Sequence, residues 1–544
     1  MKRSIALFIS ISIVLSVTHR AAADETVASV PLYKNLGKHH HAITTKSPQT
    51  QRYFDQGLRL TYGFNHAEAI AAFNEGARID PDCAMCYWGA ALAMGPNINL
   101  PMDLKDEPAA NALAQKALAL AAKVSESERT YIEALAKRYA AEPGENRSAR
   151  DQAYADAMRE AATRHPEDPD AATLFAEALM DLQPWDYWTH DGRPKGNSEE
   201  VVTILERVLK KHPNHPGACH YYIHAVEASM EPQRALPCAK RLAGLMPGAG
   251  HLVHMPAHTY MRVGMYQEAE EANVHAVHVD ERYIQDRKPQ GFYPMAYYPH
   301  NLHFLYWAAA MAGRSRVAIK TARELVEKVQ DAMVKEVPPL EMFKPIPYFA
   351  LALFGKWDDI LKEPAPAAEF TYSTGIWRYA RGRAFAATGK LDQAKAELDA
   401  VTKLAEEIRP DLVIGLNSGK PLLQIASKVL AGEIAAREGR TDDAVQSLSR
   451  AIEIEDRLVY DEPRPWYQPV RQNLGAVLLA ANRAVEAEKI YRDDLKRNPE
   501  NGWSLYGLTQ SLKAQGNRKQ AAPEETRFRK AWKRADVKLV ASRF

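Results

Sequence analysis

The chain has 544 residues, 46% of them hydrophobic and 25% charged, a composition that excludes a disordered or low-complexity protein and supplies an extended core. Its 70 Lys and Arg against 68 Asp and Glu leave a formal charge of +2. The two signs are mixed along most segments, as on solvated helix faces, and there is no basic stripe of the kind nucleic acid demands.

Residues 1–23 read as a processing signal. "MKR" is a positive start, "SIALFISISIVLSV" is an apolar run too short to span and stay, and Ala21 and Ala23 form a small-residue cleavage site that places the mature start at Asp24. No Cys stands at the cleavage point, which excludes a bacterial lipoprotein, and no later apolar run reaches the length of a spanning helix. The expectation is an exported protein, periplasmic or secreted, with no membrane association after signal cleavage. Residues 24–49 read as an extended N-terminal segment, whose "HHHAITT" either folds back toward the rest of the chain or is a floppy terminus.

From residue 50 onward strand signals are almost absent and amphipathic helices with small-residue seams dominate. "FNHAEAIAAFNEGARIDPD" has small residues at Ala69 and Gly76, Phe73 between them and Pro81 at its end; "NRAVEAEKIYRDDLKRNPE" repeats the plan with Ala487, Tyr491 and Pro499. A preceding helix usually ends in Gly, as in "MRVG", "AAMAG", "AFAATG" and "IAAREG". From Ala235 to Ala269 the step is 34 residues. The four cysteines are too few for a disulfide framework. In "CAMCYW", Tyr87 follows the pair where haem attachment needs His, so Cys83 and Cys86 read as a local disulfide or two buried thiols, with a soft metal contact as the sharper alternative.

This periodicity resembles the tetratricopeptide repeat, about 34 residues and two helices per unit. The resemblance implies an all-α solenoid of stacked antiparallel helix hairpins forming a curved superhelix, with the small residues letting the helices approach and the aromatic filling the gap. It covers residues 50–200 as N-terminal repeats, 201–330 as a central His-rich set and 331–544 as C-terminal repeats. Looser segments occur at 184–200, 283–299 and 361–375, and the loops "PNINLPMD" and "PWDYWTHDG" are placed to cover a groove mouth. "YDEPRPWYQPVRQ", with Trp466, Tyr467 and Arg471, reads as packing at the start of a repeat. "HHAITT", "DPDCAMCYWG", "HYYIHA", "HMPAH" and "HNLHFL" together resemble a subgroup of exported bacterial tetratricopeptide proteins. That resemblance implies no activity.

Of the 18 His, nine lie between His220 and His303. In the frame of the repeat, His220, His224 and Glu227 of "HYYIHAVE", His251, His254, His258 and Arg262 of "HLVHMPAHTYMRVG", and His300 and His303 of "HNLH" all fall on the face that the repeat turns toward its concave groove. Spacings of 3 and 4 stack side chains on one helix face, and adjacent helices pack about 8–10 Å apart, close enough for imidazoles to share an ion. Imidazoles crowded together without a partner disfavour protonation and pack poorly; a metal supplies the partner. These seven histidines and Glu227 are therefore the expected metal ligands, in a site able to be multinuclear. Copper is favoured over iron or zinc by its place in the affinity order and by the shortage of thiols. Pro256 reads as a helix opener, which leaves His251 and His254 on the turn before it, and Pro299 opens the helix of His300. Arg262 could orient an anionic substrate, and Glu177 in "TLFAEALMDL" is either a further groove carboxylate or part of a solvated face. "HYYIH" is not a zinc-protease helix, because Tyr221 stands where the general base belongs, and no nucleophile-elbow, P-loop or dinucleotide fingerprint occurs. The functional expectations are a metal-dependent oxidoreductase or hydrolase, a non-enzymatic scaffold binding a peptide or protein in the groove, or a metal storage or delivery protein.

Overall fold

The computed structural model describes residues 30–144 and 146–544, so the signal reading of residues 1–23 lies outside the described residues. Regular strand is confined, among the described residues, to the two-residue pairing of Val413–Ile414 with Asn417–Ser418. The rest of the regular structure is helical, in successive antiparallel hairpins, and none of these helices is long and apolar enough to cross a membrane. The described chain divides into two compact units: residues up to 187, 194–225 and 335–337 in the first, and residues 188–193, 226–334 and 338–544 in the second.

In the first unit, helix Pro48–Tyr62 pairs with His66–Ile79, and Arg147–Arg164 with Pro169–Asp181. Helix starts are set by local chemistry. Ser47 accepts from the Thr50 N–H, Ser125 and Glu128 form a reciprocal capping box, and Asp168 accepts from the N–H groups of Asp170 and Ala171. The aromatic expected between small residues is there. Phe73 is fully buried, and a Cβ at Gly57 or Gly89 would lie 2.6 or 2.4 Å from its ring. Cys83 and Cys86 form a disulfide at the start of helix Ala84–Met94, and Cys219 is a buried thiol.

From Val30 onward the N-terminal segment is docked. Side chains of helix Pro48–Tyr62 hold its carbonyls one after another: Tyr53 donates to Val30 O, Gln56 to Pro31 O, Arg59 to His39 O and Gln51 to His41 O, at 2.6–2.9 Å. "HHHAITT" is thus a fixed strip on this unit rather than a floppy terminus.

The second unit repeats the plan in Tyr266–Arg287 with Tyr298–Met311, Thr371–Ala387 with Leu391–Glu407, Gly419–Arg437 with Thr441–Glu455, Val470–Ala480 with Ala484–Arg497, and Gly502–Ala514 with Arg518–Ala531. Tyr491 is the wedge corresponding to Phe73; a Cβ at Gly475 or Gly507 would lie 2.4 or 2.1 Å from its ring. Gly264 and Gly313 end their helices with φ of +80° and +70°, a conformation that a Cβ penalises. Pro256 opens helix Pro256–Arg262, and His251 and His254 lie on the short helix Gly250–His254 before it. Met255 joins the two with helical dihedrals, φ −50° and ψ −34°, so the four-residue stacking of His254 over His258 survives the proline.

Candidate metal centre

The site in the second unit grows from three backbone placements. Helix Pro216–Glu227 ends on Glu227, and Arg262 holds that end, its Nε donating to Glu227 O at 2.8 Å and its Nη2 to Ser229 O at 3.2 Å. The paired short helices carry His251, His254 and His258. Helix Tyr298–Met311, with Pro299 in its first turn, carries His300 and His303.

Hydrogen bonds settle which ring nitrogens face inward. Asn273 donates its amide to Ala269 O at 2.7 Å, which turns its Oδ1 toward His254 Nδ1 at 2.7 Å. His254 Nδ1 therefore carries a hydrogen and its Nε2 a lone pair. His258 Nδ1 lies 2.5 Å from Glu227 Oε2 and 2.8 Å from Glu462 Oε2, so it too carries a hydrogen. The two Nε2 atoms then face one another at 2.8 Å. Two lone pairs repel at that distance, so a proton or a cation must lie between them. Burial pulls the His258 pKa down, but Glu227 and Glu462 overcome it and raise it to about 10, so a proton on His258 Nε2 bridges the pair when no cation does. Burial, with the Glu227 charge, pushes the Glu462 carboxyl up.

His300 completes the group: the ligand nitrogens of His254, His258 and His300 all lie within 4.8 Å of one another. Phe304 packs against all three rings, with centroids 4.6, 4.5 and 4.9 Å away. His254 and His258 are 0% and 1% exposed, whereas His300 is part-exposed. His251 lies at the edge, its ring 5.8 Å from that of His254 and 4.7 Å from Tyr297.

His303 points elsewhere. Its ring stacks on Tyr306 and meets Phe343 edge-on, its Nδ1 has no hydrogen-bond partner, and burial lowers its pKa to about 3. In the first unit, His220 and His224 are buried as a pair with centroids 4.9 Å apart; His220 Nδ1 bonds to Tyr62 O at 2.7 Å and His224 meets Trp185 edge-on. Glu177 is buried in the same unit, beside Asp181 and Arg138. Burial and then the Asp181 charge raise its carboxyl far above the usual range, and Arg138 Nη2 binds Asp181 at 2.6 Å.

Sequence reasoning missed Asn273 and Glu462. Asn273 lies on a helix read only for its repeat signature, and Glu462 stands in the segment assigned to packing. It also missed a cluster in the first unit. There Asp170 is ringed by His39, His41, His215 and Tyr62, with Asp168 alongside. Burial works against His41, but its bond to Asp170 raises it to about 9; burial likewise opposes the Asp170 charge, yet the surrounding imidazoles hold its carboxyl well below the usual range. The run of three histidines was the available signal.

No protein-family model matches the chain, and no curated protein does. Among solved structures, it is similar to the human IFIT1 dimer with m7Gppp-AAAA, at 13% identity over 91% of this chain and 92% of that one, with a TM-score of 0.33. The APC/C hetero-tetramer Cut9–Hcn1 is similar at 12% identity over 89% and 76%, TM-score 0.29, and the P58(IPK) TPR domain at 12% over 87% and 99%, TM-score 0.22. The helical hairpins themselves make this an all-α protein built of antiparallel helix pairs in series.

Proposed function

We propose that the second unit binds a transition-metal ion through His254 Nε2, His258 Nε2 and His300. The observation that carries this is the pair of Nε2 atoms turned toward each other at 2.8 Å while both Nδ1 atoms are committed to outer acceptors. A metal-ligating His generally gives its other nitrogen to a carboxylate or carbonyl, which fixes the ring and raises its basicity. In this reading Glu227 supports His258 together with Glu462 instead of ligating the ion, and Arg262 secures the helix end that presents Glu227. An imidazole set suits copper first by the affinity order, then zinc or iron.

Three protein ligands leave a position for water or substrate, as in catalytic rather than closed structural sites, and Phe304 and burial keep the surroundings dry. The activity class this supports is a metal-dependent oxidoreductase or hydrolase, exported if residues 1–23 act as the signal they resemble. Burial of His254 and His258 favours an ion over a peptide as the occupant, because a peptide needs donors at the surface.

The test is elemental analysis of the untagged mature chain. One or more equivalents of copper, zinc or iron per chain is expected. His258→Ala, and the milder His300→Ala at the part-exposed ligand, should each lose about one equivalent with helical circular dichroism unchanged. A parent chain without stoichiometric transition metal, or variants that keep all of it, sinks the reading.

A further inference from the structure

A second convergence of imidazole and carboxylate lies in the first unit, at the start of helix Pro169–Asp181. The two oxygens of Asp170 are used differently. Oδ1 is saturated: it accepts from Tyr62 OH at 2.5 Å and lies 2.9 Å from His39 Nε2 and 3.0 Å from His215 Nε2. His215 has no choice in this, since its Nδ1 accepts the Ala218 N–H at 3.1 Å and the ring hydrogen must sit on Nε2. Oδ2 faces His41 Nδ1 at 2.9 Å.

Beside them, Asp168 accepts from the Asp170 and Ala171 N–H groups through Oδ1 and from Tyr131 OH through Oδ2 at 2.7 Å, which fixes its carboxylate in place. Ligand atoms of His41, Asp168 and Asp170 all lie within 4.8 Å of one another. His41 arrives preorganised, its carbonyl held by Gln51 and its N–H by Asp55. The three open onto a cleft of about 660 Å³, which His40, Ser127 and Asn214 also line.

We infer that His41, Asp168 and Asp170 form a site for a divalent cation, separate from the three-imidazole group and of different chemistry. Tyr62, His39 and His215 serve as the outer donors that orient Asp170, so Oδ2 and His41 Nδ1 are turned to the cation. Two carboxylates and an imidazole that releases its Nδ1 proton when the ion binds balance a dication, and such an oxygen-rich set suits Mn²⁺, Fe²⁺ or Zn²⁺. The cleft leaves coordination positions for water or an anionic ligand.

The experiment is a Mn²⁺ titration of the full chain, followed by the electron paramagnetic resonance signal of the unbound ion. One tight Mn²⁺ per chain is expected, retained in His254→Ala, which removes a ligand of the other site. In His41→Ala the affinity should fall at least about tenfold. Asp168→Asn keeps an oxygen for the helix cap but loses the charge, so it should show the same loss in a folded chain. A parent that takes up no stoichiometric Mn²⁺ overturns the inference, leaving the cluster as a clasp for the N-terminal segment. Unchanged binding in both variants overturns it equally, and loss of the Mn²⁺ in His254→Ala assigns the ion to the other site.

Discussion

At the scale of single residues, the candidate centre depends on groups that do not touch its ion. Asn273 and the Glu227–Glu462 pair decide which nitrogen of each ring faces inward. Asn273→Leu should leave the His254 tautomer unset and weaken metal binding about 10–100-fold, whereas Asn273→Asp should keep it near the parent value; a competition titration against a chromophoric chelator reads both. Equal affinities in parent and leucine variant would show that Asn273 orients nothing. The histidines were legible in the sequence because ligands that share a helix must recur at 3 or 4 residues. Glu462 was not, because nothing local links "YDEPRPWY" to His258: the bond forms only once the hairpins between them have stacked. His303 shows the opposite failure. Three residues after His300, it is on the expected stripe, yet it turns into the aromatic packing of Tyr306 and Phe343, since a helical face is wide enough to serve two neighbours.

At the scale of elements, the hairpin series was readable because its determinant is local. A glycine and an aromatic must meet for two helices to approach. Gly507→Ala tests this by setting two effects against each other. Alanine gains up to about 1 kcal/mol in helix propensity, but its Cβ would sit 2.1 Å from the Tyr491 ring, and overpacking costs about 1–3 kcal/mol. Net destabilisation is expected in urea unfolding, and a stabilised variant contradicts the wedge. The hairpin Tyr266–Arg287 with Tyr298–Met311 carries a pH-dependent link. Asp280 accepts from Tyr293 OH at 2.7 Å and Asn301 Nδ2 at 2.6 Å, and burial raises its carboxyl to about 7. The fold prefers the neutral acid, so its contribution is fully present below the unfolded pKa of about 3.9 and is lost as pH rises through about 7, with a slope of about 1.4 kcal/mol per pH unit between them. Asp280→Asn cannot ionise. The stability difference between parent and variant should therefore shift against the parent from pH 4 to pH 7, and a constant difference would refute the assignment.

At the scale of the molecule, the most extensive helix contacts run between elements close in sequence, although single bonds such as Trp503 Nε1 to Ala310 O and His258 to Glu462 tie distant ones together, so ligand stabilisation should concentrate where the ligand binds. Local openings in such arrays have their own free energies. An ion at 100 times its Kd adds about 2.7 kcal/mol to any opening that destroys its site, which slows amide exchange through that opening about 100-fold. Copper or zinc should therefore protect residues 250–262 and 298–311, the helices of His254, His258 and His300. Mn²⁺ should protect residues 39–41 and 168–171, the strip and helix start that hold His41, Asp168 and Asp170. Hydrogen exchange with mass spectrometry on the full chain resolves both sets in one experiment. Protection of the same segments by both ions would merge the two sites into one, and uniform protection along the chain would show that the hairpins open together and that the array behaves as a single cooperative body.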